Sequence, residues 1–293
     1  MNTQKNSRTR IGLYNALGAF AMWGLVPIYF KSLAQVGALE ILAHRVLWSL
    51  LFLLVVMWLT ARWQSFLAIL RNRRLMGWLL CSSLTIAINW LVFIWAVAEG
   101  RILETSLGYF ITPLMNVFLG VLFLGERLRP AQWAAVALAA IGVAWQIGQV
   151  GYLPWVALVL SVSFGLYGLL RKKVSVDATL GLGVEVLVLL PLAAGYLLGL
   201  AASGEMAFVA QGSTITGLLL AAGLITSLPL LCYAAAANRL NLSVVGVVQY
   251  LTPSITFFLA VFFYKEAFDS NSLITFAFIW LALAVFTVDG LRR

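Results

Sequence analysis

"LGYFITPLMN", Leu107 to Asn116, places a Thr-Pro pair inside one of the most apolar parts of the chain. "VQYLTPSIT", Val248 to Thr256, places the same pair inside another. A 140-residue shift, the distance from Thr112 to Thr252, carries Thr112-Pro113 onto Thr252-Pro253 and Glu126 onto Glu266. Under it "LFLGE" (Leu122 to Glu126) matches "FFYKE" (Phe262 to Glu266) in pattern. Near the same offset "MWGLVPIYFK" (Met22 to Lys31) faces "SFGLYGLLRK" (Ser163 to Lys172), and "NWLVFIWAVAEG" (Asn89 to Gly100) faces "LPLLCYAAAANR" (Leu228 to Arg239). The chain reads as two copies of one unit, residues 1–150 and 151–293.

Composition says what surrounds those copies. Of 293 residues, 63% are hydrophobic and 10% charged, and the mean hydropathy is +1.00. A water-soluble fold covers itself with charge, so the solvent for most of this chain is lipid. Crossing a bilayer takes about 20 helical residues, and ten apolar runs approach that length: Ile11–Phe30, Leu39–Thr60, Leu75–Ala98, Leu103–Leu124, Ala131–Ile147, Leu153–Leu170, Leu180–Leu200, Ile215–Ala236, Leu242–Tyr264 and Leu273–Val288. A β-barrel would need short segments of alternating polarity, which these continuous runs lack. The N-terminal run is long for a secretory signal and shows no small-residue cleavage site, so it reads as the first transmembrane helix.

Net charge is +9, and its placement argues for a membrane rather than a nucleic acid. Alternate connections and the termini hold Lys5, Arg8, Arg10, Arg62, Arg71, Arg73, Arg74, Arg127, Arg129, Arg171, Lys172, Lys173, Arg239, Arg292 and Arg293. The intervening connections hold only Lys31, Arg101 and Lys265. By the positive-inside rule both termini are cytoplasmic. Each copy has five helices, an odd number, so the second threads the membrane upside down. The expected architecture is all-α, ten transmembrane helices in two inverted five-helix repeats, whose axis brings equivalent helices together at mid-depth.

Inside a helix, proline removes one backbone donor at a cost of about 3 kcal/mol in water. In lipid the freed carbonyl needs protein, a neighbouring Thr hydroxyl or water, so a cavity wall is its natural place. The fourth and ninth spans are therefore expected to bend symmetrically at the repeat interface.

Ionisable groups at membrane depth cost at least about 2.5 kcal/mol and mark function. His44 and Arg45 lie about a turn inside the second span, and Glu185 lies inside the seventh. The shift places Arg45 on Glu185, which suggests an ion pair across the bundle or two ends of one site for a zwitterion. His44, with an unperturbed pKa near neutrality, is the candidate for proton coupling. Glu40, His44 and Trp48 recur every four residues and share a helical face that would suit a cavity wall. Neutral polar residues converge too: Asn89 on the third span, Tyr109 and Asn116 on the fourth, Gln249 and Tyr250 on the ninth. Trp23, Trp48, Trp90, Trp95 and Tyr167 are placed to line a pocket for flat, weakly polar or aromatic solutes, whereas Trp63, Trp78, Trp133 and Trp155 fit interfacial anchors. Interhelical hydrogen bonding and ordinary packing are the competing readings for each.

What is missing narrows the function. There is no phosphate loop, no Ser nucleophile elbow or His-containing triad, and no aspartate cluster. A single His with Cys81 and Cys232 on separate spans gives neither a metal clip nor a disulfide framework, and both cysteines read as small core residues. No cofactor is expected. "GYLLG", Gly195 to Gly199, has the spacing of a helix-packing motif and would serve a homodimer.

Ten spans as five plus five, with "FLGERLRPAQWAAVALAAIGV" (Phe123 to Val143) after the fourth, resemble the EamA family of the drug/metabolite transporter superfamily. "HRVLWS" (His44 to Ser49), "NWLVFIWAV" (Asn89 to Val97), "SLGYFITPL" (Ser106 to Leu114) and "FYKE" (Phe263 to Glu266) are similar to its RarD branch. Lys265 departs from the glycine common before that glutamate. The resemblance implies an inner-membrane permease, often an exporter, that moves small metabolites or drugs by alternating access. Position, symmetry and resemblance together make Asn89, Tyr109, Gln249 and Tyr250 candidate substrate contacts, with Trp90, Trp23, Asn116 and Tyr167 around them. His44, Arg45 and Glu185 would supply charge compensation or proton coupling. A membrane enzyme acting on a lipid and a regulatory or scaffolding membrane protein remain the alternatives.

Overall fold

Hydrocarbon leaves backbone polar groups no partner but one another, and every regular element among the described residues is accordingly helical. The computed structural model describes residues 2–33, 35–98, 102–150, 154–263 and 270–291. The helices are α1 (Asn2–Lys31), α2 (Ala38–Leu59), α3 (Trp63–Arg71), α4 (Arg73–Ala98), α5 (Ile102–Leu124), α6 (Pro130–Val150), α7 (Trp155–Val174), α8 (Ala178–Ser203), α9 (Ser213–Ala237), α10 (Leu242–Gln249), α11 (Leu251–Phe258) and α12 (Ser270–Leu291), with a π-helical turn over Leu259–Phe263. Among the described residues eight helices are long and apolar enough to cross a bilayer, and shorter apolar stretches run over Leu242–Thr256 and Leu273–Asp289.

The helix ends follow local chemistry. Gly125 and Gly204 end α5 and α8 in the left-handed conformation that glycine adopts without strain. Pro130 opens α6, where its missing N–H costs nothing. The Asp177 side chain caps α8 by accepting from the Thr179 N–H at 3.0 Å.

Four features differ from the sequence expectation. A short amphipathic helix, α3, lies between the second and third spans and buries Phe66 and Ile69 while Trp63 stays exposed. The first helix reaches back to Asn2. The ninth span is not one rod but α10 and α11, broken at Tyr250. The two cysteines are not a matched pair of core residues: Cys81 faces outward and Cys232 is half-buried.

The expected symmetric bend is also replaced by two different solutions. In α5 the helix continues through Pro113, and the Thr112 hydroxyl donates back to the Gly108 carbonyl at 2.7 Å. Before α11 the chain breaks, and the Thr252 hydroxyl donates instead to the Phe20 carbonyl of α1 at 2.9 Å. One hydroxyl mends its own helix; the other ties two helices together.

Side-chain distribution is inverted relative to a soluble protein. Leu192, Leu198, Trp58 and Phe118 are exposed on the outside, while Ser49, Ser82, Ser83, Asn116 and Glu185 are buried. Trp63, Trp78, Trp133 and Trp155 are exposed, as anchors require. The main packings are α2 on α8 and α9, α1 on α9 and α11, α4 on α7 and α8, α5 on α7 and α10, and α6 on α12. Each joins a helix of residues 1–150 to one of 151–293.

Candidate functional site

Polar side chains gather at three levels of the bundle. At one end, Glu40 in the first turn of α2 accepts from the Ala207 and Phe208 N–H groups at 2.7 and 3.1 Å. His44 is buried one turn on, its Nδ1 accepting from the Trp48 indole at 3.1 Å and its Nε2 3.8 Å from Glu40. The rings of His44, Trp48 and Phe208 pack together. The Glu40–His44–Trp48 face is thus a clamp on the connection between α8 and α9, not the cavity wall that its spacing suggested.

Arg45 lies about 10 Å along α2, seven residues at 1.5 Å each. Its Nε donates to Thr226 of α9 at 2.8 Å, and its guanidinium lies 5.1 Å from the Trp90 ring of α4 and 5.7 Å from the Phe30 ring of α1. Tyr29 and Tyr109 are within electrostatic reach. Tyr109 rests edge-on against Phe93 and keeps 43% of its surface open, although Gly108 and Phe110 beside it are buried.

The other neutral candidates are engaged with protein. Asn89 donates to the Leu160 carbonyl at 2.9 Å and to Ser163 at 3.0 Å. Asn116 donates to Gln249 at 2.8 Å, and the Tyr250 hydroxyl donates to the Phe110 carbonyl at 3.2 Å in the turn before Pro113. Gly246 lets α10 approach α5 at Pro113, since a Cβ there would sit 2.7 Å from the Pro113 carbonyl oxygen. Trp23 joins Phe20, Phe164, Tyr167 and Tyr233 in an aromatic cluster across α1, α7 and α9. Trp95, expected deep, is exposed against Trp155.

At the third level Glu185 is fully buried, about 10 Å along α8. Its ion pair is with Arg171 of α7 at 3.4 Å, not with Arg45. Ser82 donates to the same carboxylate oxygen, and Tyr167 donates to the other at 3.2 Å. The expected Arg45–Glu185 pair does not form because α2 and α8 run antiparallel, as Arg62 just past the end of α2 meets Asp177 at the start of α8. Equal offsets from the two helix starts therefore give opposite depths.

Arg171 was hidden in the sequence among Lys172 and Lys173, where it looked like a headgroup anchor. It is 1% exposed, and among the described residues its Nε and Nη2 have no hydrogen-bond partner, nor has the Tyr233 hydroxyl. The readable signal was Ser163, Tyr167 and Arg171, four residues apart on one face of α7.

Glu126 is a second residue whose role the sequence did not disclose. It accepts from the Leu242 and Ser243 N–H groups at 2.6 and 3.0 Å, from the Ser243 hydroxyl at 2.5 Å, and pairs with Lys172 at 3.5 Å. It supplies the cap that Asn241 does not make for α10. Its counterpart Glu266, with Lys265, lies outside the described residues. Among the described residues no group of His, Cys, Asp and Glu could hold a metal ion.

Residues 10–147 match the model of the EamA-like transporter family. A protein of Vibrio cholerae named "Uncharacterized transporter" is 52% identical over 96% of this chain and 93% of its own length. The protein RarD of Escherichia coli is 46% identical over 97% and 96%. The "Chloramphenicol-sensitive protein RarD" of Pseudomonas aeruginosa is 37% identical over 96% and 95%. One crystal structure, 20% identical, superposes with a TM-score of 0.72 over 98% of both chains, so the fold is one already seen in a crystal.

Proposed function

Because this chain belongs to the EamA-like transporter family, with RarD proteins among its relatives, we propose that it is a secondary transporter of small metabolites or drugs. It works by alternating access as two inverted five-helix repeats in the bacterial inner membrane, with both termini cytoplasmic.

The observation that carries this reading is the packing pattern. Let α1, α2, α4, α5 and α6 exchange with α7, α8, α9, α10–α11 and α12. Then the α1–α9 contact becomes α7–α4, α1–α11 becomes α7–α5 and α2–α9 becomes α8–α4, while α2–α8, α5–α10 and α6–α12 return to themselves. Every main packing has its partner. At residue level, a Cβ on Gly24 would meet Ile255, and one on Gly165 would meet Met115, which the 140-residue shift makes equivalent to Ile255. Such a two-fold arrangement has two equal ways to close, which is the physical basis of rocking between openings.

At the basic end the halves are held by Arg62–Asp177, Lys172–Glu126, and Glu126 on the start of α10. That supports a state closed toward the cytoplasm. In it Tyr109, Trp90 and Trp23 face substrate. Asn89, the Asn116–Gln249 pair and Tyr250 hold the repeat interface and exchange partners as it opens, and Glu185 with Arg171 and Tyr167 compensates charge. His44 is the candidate for proton coupling, and the open Gly195–Gly199 face of α8 is the surface for a second copy.

The test is solute counterflow into liposomes holding purified protein, with protein-free liposomes beside them and an imposed pH gradient in one arm. Saturable uptake that follows the gradient and loses that dependence in His44→Gln supports a proton-coupled carrier. Uptake indifferent to both leaves a carrier without that role for His44. Accumulation no faster than in protein-free liposomes, for every solute that measurably stabilises the protein, would sink the proposal.

A further inference from the structure

We propose that the side chain of Arg45 is the anchor for an anionic substrate: a planar or aromatic solute carrying one carboxylate. This inference rests on the transporter reading and names the substrate class that the site selects.

A cation at membrane depth needs compensation, and Arg45 finds none among the carboxylates whose side chains the structure describes. None of these, Glu40, Glu126, Asp177, Glu185, Glu205 and Asp289, lies within 4 Å of it. Glu126, Asp177, Glu185 and Asp289 each have their own cation in Lys172, Arg62, Arg171 and Arg129, and Glu40 is spent on two backbone amides. Thr226 holds Nε, and the Trp90 and Phe30 rings lie against the guanidinium. What remains is the pair of terminal amino groups, which among the described residues have no hydrogen-bond partner yet are not sealed from open space as Arg171 Nη2 is.

That open space lies within the bundle. The residues around the guanidinium come from α1, α4 and α9, with Tyr109 from α5. The open face of Tyr109 is a second, independent sign of the same space. Two parallel N–H donors on a planar group match the two oxygens of a carboxylate, a fit that an ammonium or a lone hydroxyl cannot reproduce. One cation balances one negative charge; a doubly charged phosphate would leave its second charge uncompensated. The surrounding Trp90, Phe93 and Tyr109 supply ring faces for an apolar body.

The experiment is binding to the purified protein in detergent, read by tryptophan fluorescence and by thermal stabilisation. Its probes are phenylacetate, the neutral isostere phenylacetamide and the cation phenethylamine. The wild type is expected to bind phenylacetate roughly tenfold or more tighter than phenylacetamide. Arg45→Gln should erase that preference while leaving phenylacetamide within about twofold, and Arg45→Lys should retain part of it. The acid-to-amide comparison needs no variant, so a misfolded Arg45→Gln does not spoil it. Equal binding of acid and amide by the wild type, tighter binding of phenethylamine, or a preference that survives Arg45→Gln overturns the proposal. Counterflow of neutral solutes alongside any of these would remove the anion site and leave the carrier. Arg45-dependent binding of phenylacetate without counterflow of any solute would keep the site and remove the carrier.

Discussion

At the scale of single residues, the buried Arg171–Glu185 pair sets the largest energies. Both side chains are 1% exposed and lie 3.4 Å apart. Removing one partner strands the other charge, which costs about 3–5 kcal/mol, whereas an apolar pair of similar volume often restores stability. Glu185→Gln should therefore lower the melting temperature in detergent sharply, and Arg171→Met with Glu185→Leu should recover most of the loss. Two additive losses would show that the charges do not act on each other. A different pair faces water. Burial alone would raise the Asp177 carboxyl, but the Arg62 guanidinium and the Thr179 and Leu180 N–H groups outweigh it and hold the carboxyl below its usual range. A carboxyl depressed by folding contributes stability above its unfolded value near 4, and loses it as pH falls through the lower folded value. Asp177→Asn keeps an amide oxygen to cap α8 but loses the charge facing Arg62, so its stability should lie below the wild type at neutral pH by about 0.2–1 kcal/mol and converge with it as pH falls through the folded value. A gap that stays constant with pH would separate Asp177 from the acid limb.

At the scale of helices, α10 is the element that depends most on a distant residue. Eight residues make barely two turns, too few to hold a helix by propensity. Its first donors are satisfied by Glu126, 116 residues away in sequence from Leu242. Glu126→Ala should speed hydrogen exchange at the Leu242 and Ser243 amides by roughly tenfold or more, one charge-assisted bond being worth about 1.5–3 kcal/mol, while amides in the middle of α5 keep wild-type rates. Uniform acceleration throughout the bundle would mean that Glu126 supports global rather than local stability. Eight spans were legible because the thickness of hydrocarbon dictates run length, and nothing local competes with that. The break at Tyr250 was not legible, because Thr112-Pro113 and Thr252-Pro253 are identical dipeptides whose hydroxyls find different carbonyls, Gly108 in the same helix and Phe20 in another. Arg45 and Glu185 were found as ionisable groups inside apolar runs yet wrongly paired by the 140-residue shift, since α2 and α8 run antiparallel and equal offsets along them give opposite depths. Arg171 was missed because one basic residue among three carries no sign of the direction in which it turns.

At the scale of the molecule, the 140-residue correspondence in the sequence does not mark out two separate packing units. The main packings, α2 on α8, α5 on α7, α1 on α9, α5 on α10 and α6 on α12, all cross between residues 1–150 and 151–293. So do the Arg171–Glu185 cluster through Ser82, the Asn116–Gln249 bond and the Glu126 cap. A half made alone would leave Asn89, Asn116 and Arg45 without the Ser163, Gln249 and Thr226 that bond them, and polar groups stranded in hydrocarbon carry a cost that helix propensity cannot offset. Residues 1–150 and 151–293 expressed separately should each be cleared by proteolysis, and expressed together from two messages they should copurify and bind whatever ligand the intact chain binds. A stable, protease-resistant single half would show that the intra-half contacts of α5 with α6 or α8 with α9 suffice. In the proposed carrier, interdigitation of this kind would let one equilibrium control both faces of the membrane, since a rigid movement of one half against the other would close one end as it opened the other.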